Sequence, residues 1–139
     1  MVGILIVTHG DLGKALKSSS EFIMGEKQNI RSLGLYHGED IEDLVERIKK
    51  EITYLTKEFD NNEVLVFVDM FGGSPSNATA RAINDLGDKQ KVECITGVNL
   101  PMLLEVASMS EFQDLSYLKE LAITTGNNTV FCLKNKIGM

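Results

Sequence analysis

The residues of this chain that can do chemistry gather in three short segments, each following an apolar run. They are Thr8-His9-Gly10-Asp11, Asp69-Met70-Phe71-Gly72-Gly73-Ser74-Pro75 and Gly97-Val98-Asn99-Leu100-Pro101-Met102. A neutral imidazole is a competent nucleophile near pH 7, which makes His9 the first candidate for covalent work. A carboxylate that accepts a hydrogen bond from one ring nitrogen fixes the tautomer and makes the other nitrogen more basic. It also stabilises the cation formed on attack, and Asp69 is the residue of that type. Backbone N–H groups of Gly72 and Gly73, leading into a helix start at Ser74-Pro75, supply an anion cradle that needs no metal and no cofactor. Thr8, beside His9, joins Gly72, Gly73 and Ser74 as a phosphoryl-binding candidate. Nucleophile, orienter and cradle together suit phosphoryl transfer through a phosphohistidine, where positioning and electrostatics carry most of the catalysis. Met24, Phe71, Pro101 and Met102 are apolar candidates for a partner-docking surface around the site. His37, in Tyr36-His37-Gly38-Glu39-Asp40, reads as a solvated turn residue before a helix.

Elements must hold these segments together. Gly3 to Thr8 and Val64 to Val68 read as strands buried on both faces; Ile30 to Tyr36, Val92 to Thr96 and Thr129 to Leu133 carry the same pattern more weakly. Between them, apolar residues recur at three- and four-residue steps. Leu12, Leu16, Phe22 and Ile23 form one set, Ile41, Leu44, Val45, Ile48, Ile52, Leu55 and Phe59 a second, and Ala78, Ala82, Ile83 and Leu86 a third. Asp40 is placed to cap the second helix, and Ser74-Pro75 reads as an N-cap with proline at the first helical position. A further helix is expected around Asp114 to Ala122. The β-α-β-α-β order predicts right-handed crossovers and an α/β fold with a doubly wound, mainly parallel sheet, in one domain over residues 1–139. In such a sheet ligands gather beyond the carboxyl ends of the strands, where all three segments fall.

Composition narrows the function classes. The 139 residues carry 14 Lys and Arg against 20 Asp and Glu, a formal charge of −6. That balance opposes general nucleic-acid binding, which needs a basic footprint, and docking on an anionic membrane. No apolar run approaches a membrane span, and no basic-then-apolar leader opens the sequence, so a cytoplasmic protein is expected. Cys94 and Cys132 stand apart, which suggests neither a disulfide framework nor a metal knuckle. No G-x-x-x-x-G-K-[ST] or G-x-G-x-x-G occurs, so nucleotide chemistry lacks its phosphate loop. A receiver-type aspartyl phosphate site would want an acidic pair where Thr8 and His9 stand.

The three segments, in this order and spacing, resemble the enzyme IIA component of the mannose family of the bacterial phosphoenolpyruvate-dependent sugar phosphotransferase system. The third continues the likeness through Leu103, Leu104 and Glu105. The resemblance implies a cytoplasmic phosphoryl carrier on a flavodoxin-like open sandwich. It would accept phosphate from phospho-HPr and pass it to a IIB component, which serves membrane-embedded IIC and IID subunits. It also implies a homodimer, with the last strand antiparallel and exchanged between subunits. His9 matches the phosphorylated histidine, modified on Nε2; Asp69 matches its hydrogen-bonding aspartate and Ser74 the serine beside the site. No IIB-like domain follows residue 139, so IIB is expected as a separate chain. Asp11 adds negative charge where the family varies. The alternatives are the IIA-like phosphotransfer subunit of dihydroxyacetone kinase and a non-catalytic flavodoxin-like binding or regulatory module. The Gly97 to Glu105 segment favours the sugar-transport family over the first.

Overall fold

A computed structural model of the chain describes residues 1–139. Four parallel strands, β1 (Gly3–His9), β2 (Ile30–Leu35), β3 (Glu63–Val68) and β4 (Lys91–Thr96), form one sheet in the order β2-β1-β3-β4. Six helices accompany them: α1 (Leu12–Met24), α2 (Ile41–Glu58), α3 (Ser74–Leu86), α4 (Leu100–Met109), α5 (Leu115–Asn127) and the short α6 (Leu133–Ile137).

The two central strands explain the architecture. Side chains alternate across a strand, so Ile4 and Ile6 of β1 with Leu65 and Phe67 of β3 enter a core shared with α4 and α5. Leu5 and Val7 with Val64, Val66 and Val68 point the other way, into a core with α2 and α3. All nine are fully buried, and each contributes about 1.5–3 kcal/mol by leaving water. The buried Asn29 ties the first layer to the sheet, donating through Nδ2 to the Val2 carbonyl at 2.8 Å and to Ser110 Oγ at 2.9 Å. On α2 the residues Leu44, Val45, Ile48, Ile52 and Leu55 make the buried stripe, and Asp40 caps the helix by accepting from Glu42 N–H at 2.9 Å.

Three expectations need correction. The N-cap of α3 is Gly73, and Ser74 is already helical, with Pro75 in the first turn. Gly97 to Met102 leads into a helix that the apolar spacing does not predict: Asn99 accepts from Met102 N–H at 3.0 Å and Pro101 stands in the first turn of α4. Thr129 to Leu133 is no strand in this chain: it leaves α5 without joining a ladder, and Val130 and Phe131 remain 88% and 55% exposed. A strand needs a pairing edge, and the β-branched pattern alone does not provide one.

Topology places the site. α1 runs from β1 out to β2 along one face of the sheet, and α3 runs from β3 out to β4 along the other. The connections diverge between adjacent strands β1 and β3, opening the crevice at their carboxyl ends where ligands of such sheets sit.

Candidate functional site

His9 ends β1 and Asp69 follows β3, so the parallel register that pairs Val7 with Val68 sets them side by side. The Asp69 carboxylate is fixed by three donors. Its Oδ2 accepts from the His9 backbone N–H at 2.9 Å and lies 2.7 Å from His9 Nδ1, while Oδ1 accepts from Met70 N–H at 3.1 Å. The Asp69 side chain is 11% exposed and that of His9 49%. Burial by itself would push the Asp69 carboxyl up. The hydrogen bonds from the His9 backbone and ring outweigh it together, holding Asp69 below the ordinary carboxylate range. A charged Asp69 can only accept, so Nδ1 carries a proton, and in the neutral imidazole Nε2 keeps its lone pair.

The glycines shape the space beside that lone pair. Gly72 adopts φ +81°, a left-handed conformation that favours glycine. A Cβ on Gly73 would stand 2.8 Å from His9 Cε1 and 3.4 Å from Nε2, so only a bare backbone fits against the ring. Gly73 opens α3 with no side-chain cap, and the first-turn N–H groups of α3 lack intrahelical partners. Exposed amides at a helix N-terminus beside a nucleophilic nitrogen can hold the oxygens of an anionic group.

The other residues singled out in the sequence divide. Ser74 is half-buried in the first turn of α3, beside the glycines. Thr8 is fully buried, and its Oγ1 accepts from Gly13 N–H at 2.8 Å. Its hydroxyl therefore cannot contact a phosphoryl group; it anchors the start of α1 and so the loop that carries His9. Phe71 is 84% exposed beside the site, and Pro101 is exposed at the head of α4. Met102 is 4% exposed and packs in the core, so it offers no docking surface. Met24 is half-buried against the same core at the far end of α1, roughly 18 Å of helix from His9 at 1.5 Å per residue. His37 is exposed, in the loop between β2 and α2. Sequence reasoning missed Tyr36, whose hydroxyl donates to Asp11 Oδ1 at 2.5 Å. The signal was there: Tyr36 directly follows the strand that neighbours β1, on the edge where Asp11 must lie.

Four wide surface clefts have neither His9 nor Asp69 in their walls. The widest, about 690 Å³, lies at the opposite edge of the sheet beside Glu63, Asp88 and Lys91. The pair thus sits on an open rim, which suits contact with another protein better than enclosure of a small substrate.

The chain is similar to proteins of known family. The fructose-specific EIIA component of the Bacillus subtilis (strain 168) phosphotransferase system is 40% identical over 111 residues, covering 80% of this chain and 72% of that protein. The mannose-specific EIIAB component of Escherichia coli (strain K12) is 36% identical over 137 residues, 97% of this chain but only 40% of its relative's length. Among solved structures, a phosphotransferase system EIIA component from Streptococcus agalactiae superimposes with a TM-score of 0.84 at 26% identity, covering 97% of this chain and 99% of that one. Since residues 3–123 also match the EIIA-man model, described as the PTS system fructose IIA component, the chain belongs to that EIIA family of sugar phosphotransferase components.

Proposed function

We propose that this chain carries a phosphoryl group on His9, taking it from phospho-HPr and passing it to a IIB component. The observation that carries this reading is the 2.7 Å contact between His9 Nδ1 and Asp69, which leaves Nε2 as the free nucleophile. In the step, Nε2 attacks phosphorus in line, the phosphorus–nitrogen bond of the donor histidine breaks, and the donor imidazole leaves. Charge then developing on His9 is balanced by Asp69, while the Gly72 to Ser74 backbone faces the phosphoryl oxygens. Transfer to IIB reverses the roles. IIC and IID receive the benefit indirectly, which places the chain in the cytoplasm beside a membrane complex. The sugar is chosen elsewhere, since relatives named for fructose, mannose and sorbose are all similar to this chain.

A homodimer belongs to the same reading. The outer edge of β4 is unpaired, and Val130, Phe131, Leu133 and Ile137 expose apolar surface beyond α5. An edge strand and an unpartnered apolar segment complete each other across two copies.

The test is intact mass after incubation with phosphoenolpyruvate, enzyme I and HPr, run on the native chain and on His9→Ala. One acid-labile phosphoryl adduct on the native chain and none on a folded variant supports the assignment. Labelling of His9→Ala at the native level would refute it.

A further inference from the structure

Asp11 holds the N-cap position of α1 but does not cap it. Thr8 does that work, accepting from Gly13 N–H at 2.8 Å. The Asp11 carboxylate is instead drawn sideways, across the strand boundary, to the Tyr36 hydroxyl at 2.5 Å. Tyr36 is itself held. Its backbone N–H donates to Glu39 Oε1 at 2.9 Å, and Glu39 Oε2 accepts from Arg47 at 3.1 Å. The phenol ring lies over Gly34, where a Cβ would come within 3.0 Å of ring atoms Cε2 and Cζ and would also strike the Gly10 carbonyl. Gly10 N–H donates to the Leu35 carbonyl at 2.8 Å, locking the two loops together. A surface carboxylate two residues from His9 is thus oriented by a dedicated, backbone-braced tyrosine.

Such a charge is costly beside a phosphoryl dianion unless a cation meets it. The loops at this edge bring none, and Arg47, which reaches Glu39 from α2, is already paired there at 3.1 Å. The four loops at this sheet edge (9–11, 36–40, 69–73 and 97–99) contain Asp11, Glu39, Asp40 and Asp69 but neither lysine nor arginine. Lys14, one turn along α1, makes no ion pair with Asp11, so the carboxylate stays open to a cation carried by the partner. We infer that Tyr36 is a positioning residue that fixes Asp11 as a contact for a lysine or arginine of the phosphoryl-donor protein, so that the pair sets donor selectivity. The inference rests on the phosphocarrier reading. Tyr36 acts only through Asp11, and neither takes part in the chemistry at Nε2.

The test measures transfer from phospho-HPr to the native chain, Asp11→Asn, Tyr36→Phe and the double variant, over a range of salt concentrations. Phenylalanine keeps the ring on Gly34 and removes only the hydroxyl. Asp11→Asn should raise KM roughly two- to fivefold, the size of one exposed ion pair, with the saturating rate unchanged. It should also flatten the fall of kcat/KM with salt. Tyr36→Phe should move KM in the same direction, and the double variant should match Asp11→Asn because Tyr36 has no separate route. Thermal melts accompany each variant, and Asp11→Asn alone decides the matter if Tyr36→Phe does not fold. A shared KM and a shared salt slope, or a change confined to the saturating rate or the melting temperature, overturns the inference while leaving the carrier reading intact. A native chain that takes no phosphate from active phospho-HPr overturns both.

Discussion

Replacing Asp69 with asparagine changes one atom and asks the side chain to keep three hydrogen bonds that it can no longer all make. Oδ2 now serves the His9 N–H and Nδ1, and Oδ1 serves Met70 N–H. If the amide oxygen stays toward His9, the new NH₂ faces the Met70 N–H, donor against donor. If the amide turns over, the NH₂ meets Nδ1, which must then accept, and the proton moves to Nε2, where it removes the lone pair needed for attack. In either pose the negative charge that balances the cationic ring is gone. A hydrogen bond to a charged group contributes about 1.5–3 kcal/mol, and this one, 89% shielded on the carboxylate side, is little screened. At about 1.36 kcal/mol per decade, Asp69→Asn should slow transfer roughly 10- to 150-fold. Rapid-quench single turnovers from radiolabelled phospho-HPr, with a thermal melt to confirm folding, make the measurement. A folded variant within threefold of the native rate would remove Asp69 from the mechanism.

Three further outcomes follow from the same geometry. Gly73→Ala keeps an allowed backbone at φ −76° but sets a methyl 2.8 Å from His9 Cε1, so labelling should fall at least about tenfold with the fold retained; a native rate would show that the ring face is unused. Asp69 titrates below its ordinary range in the folded chain, so its contribution to stability is fully present above about pH 4 and is lost as pH falls through the lowered value. Melting temperatures of native and Asp69→Asn proteins should therefore converge toward acid, and a gap that widened there would contradict the sign. Aspartates at Val130 and Phe131, 88% and 55% exposed in the single chain, should shift sedimentation from dimer toward monomer without unfolding the protein; a native monomer, or an unshifted dimer, would refute the proposed assembly.

Much of this was legible because β1 and β3 bury both faces, and a run such as Val64 to Val68 has few other readings. Chemistry-bearing residues standing immediately after such strands must share one sheet edge, which is why His9 and Asp69 could be paired from sequence. What failed was whatever depended on neighbours remote in sequence. Thr8 carries a hydroxyl of the right type, but only the packed fold shows it spent on Gly13. Met102 and Phe71 are alike in hydropathy, yet one lies in the core and the other in solvent. Met24 lies far from His9 because a straight helix intervenes. α4 was readable and was missed, since Asn99 and Pro101 are both helix-start residues. The Thr129 to Leu133 segment has strand-like residues but no pairing edge within its own chain.

The most direct test of the account is the position of the phosphoryl group on the ring of the phosphorylated chain, read by nitrogen–proton and phosphorus NMR. Phosphorus should sit on Nε2 of His9, with Nδ1 still protonated against Asp69. Phosphorus on Nδ1, or on any residue other than His9, would contradict it.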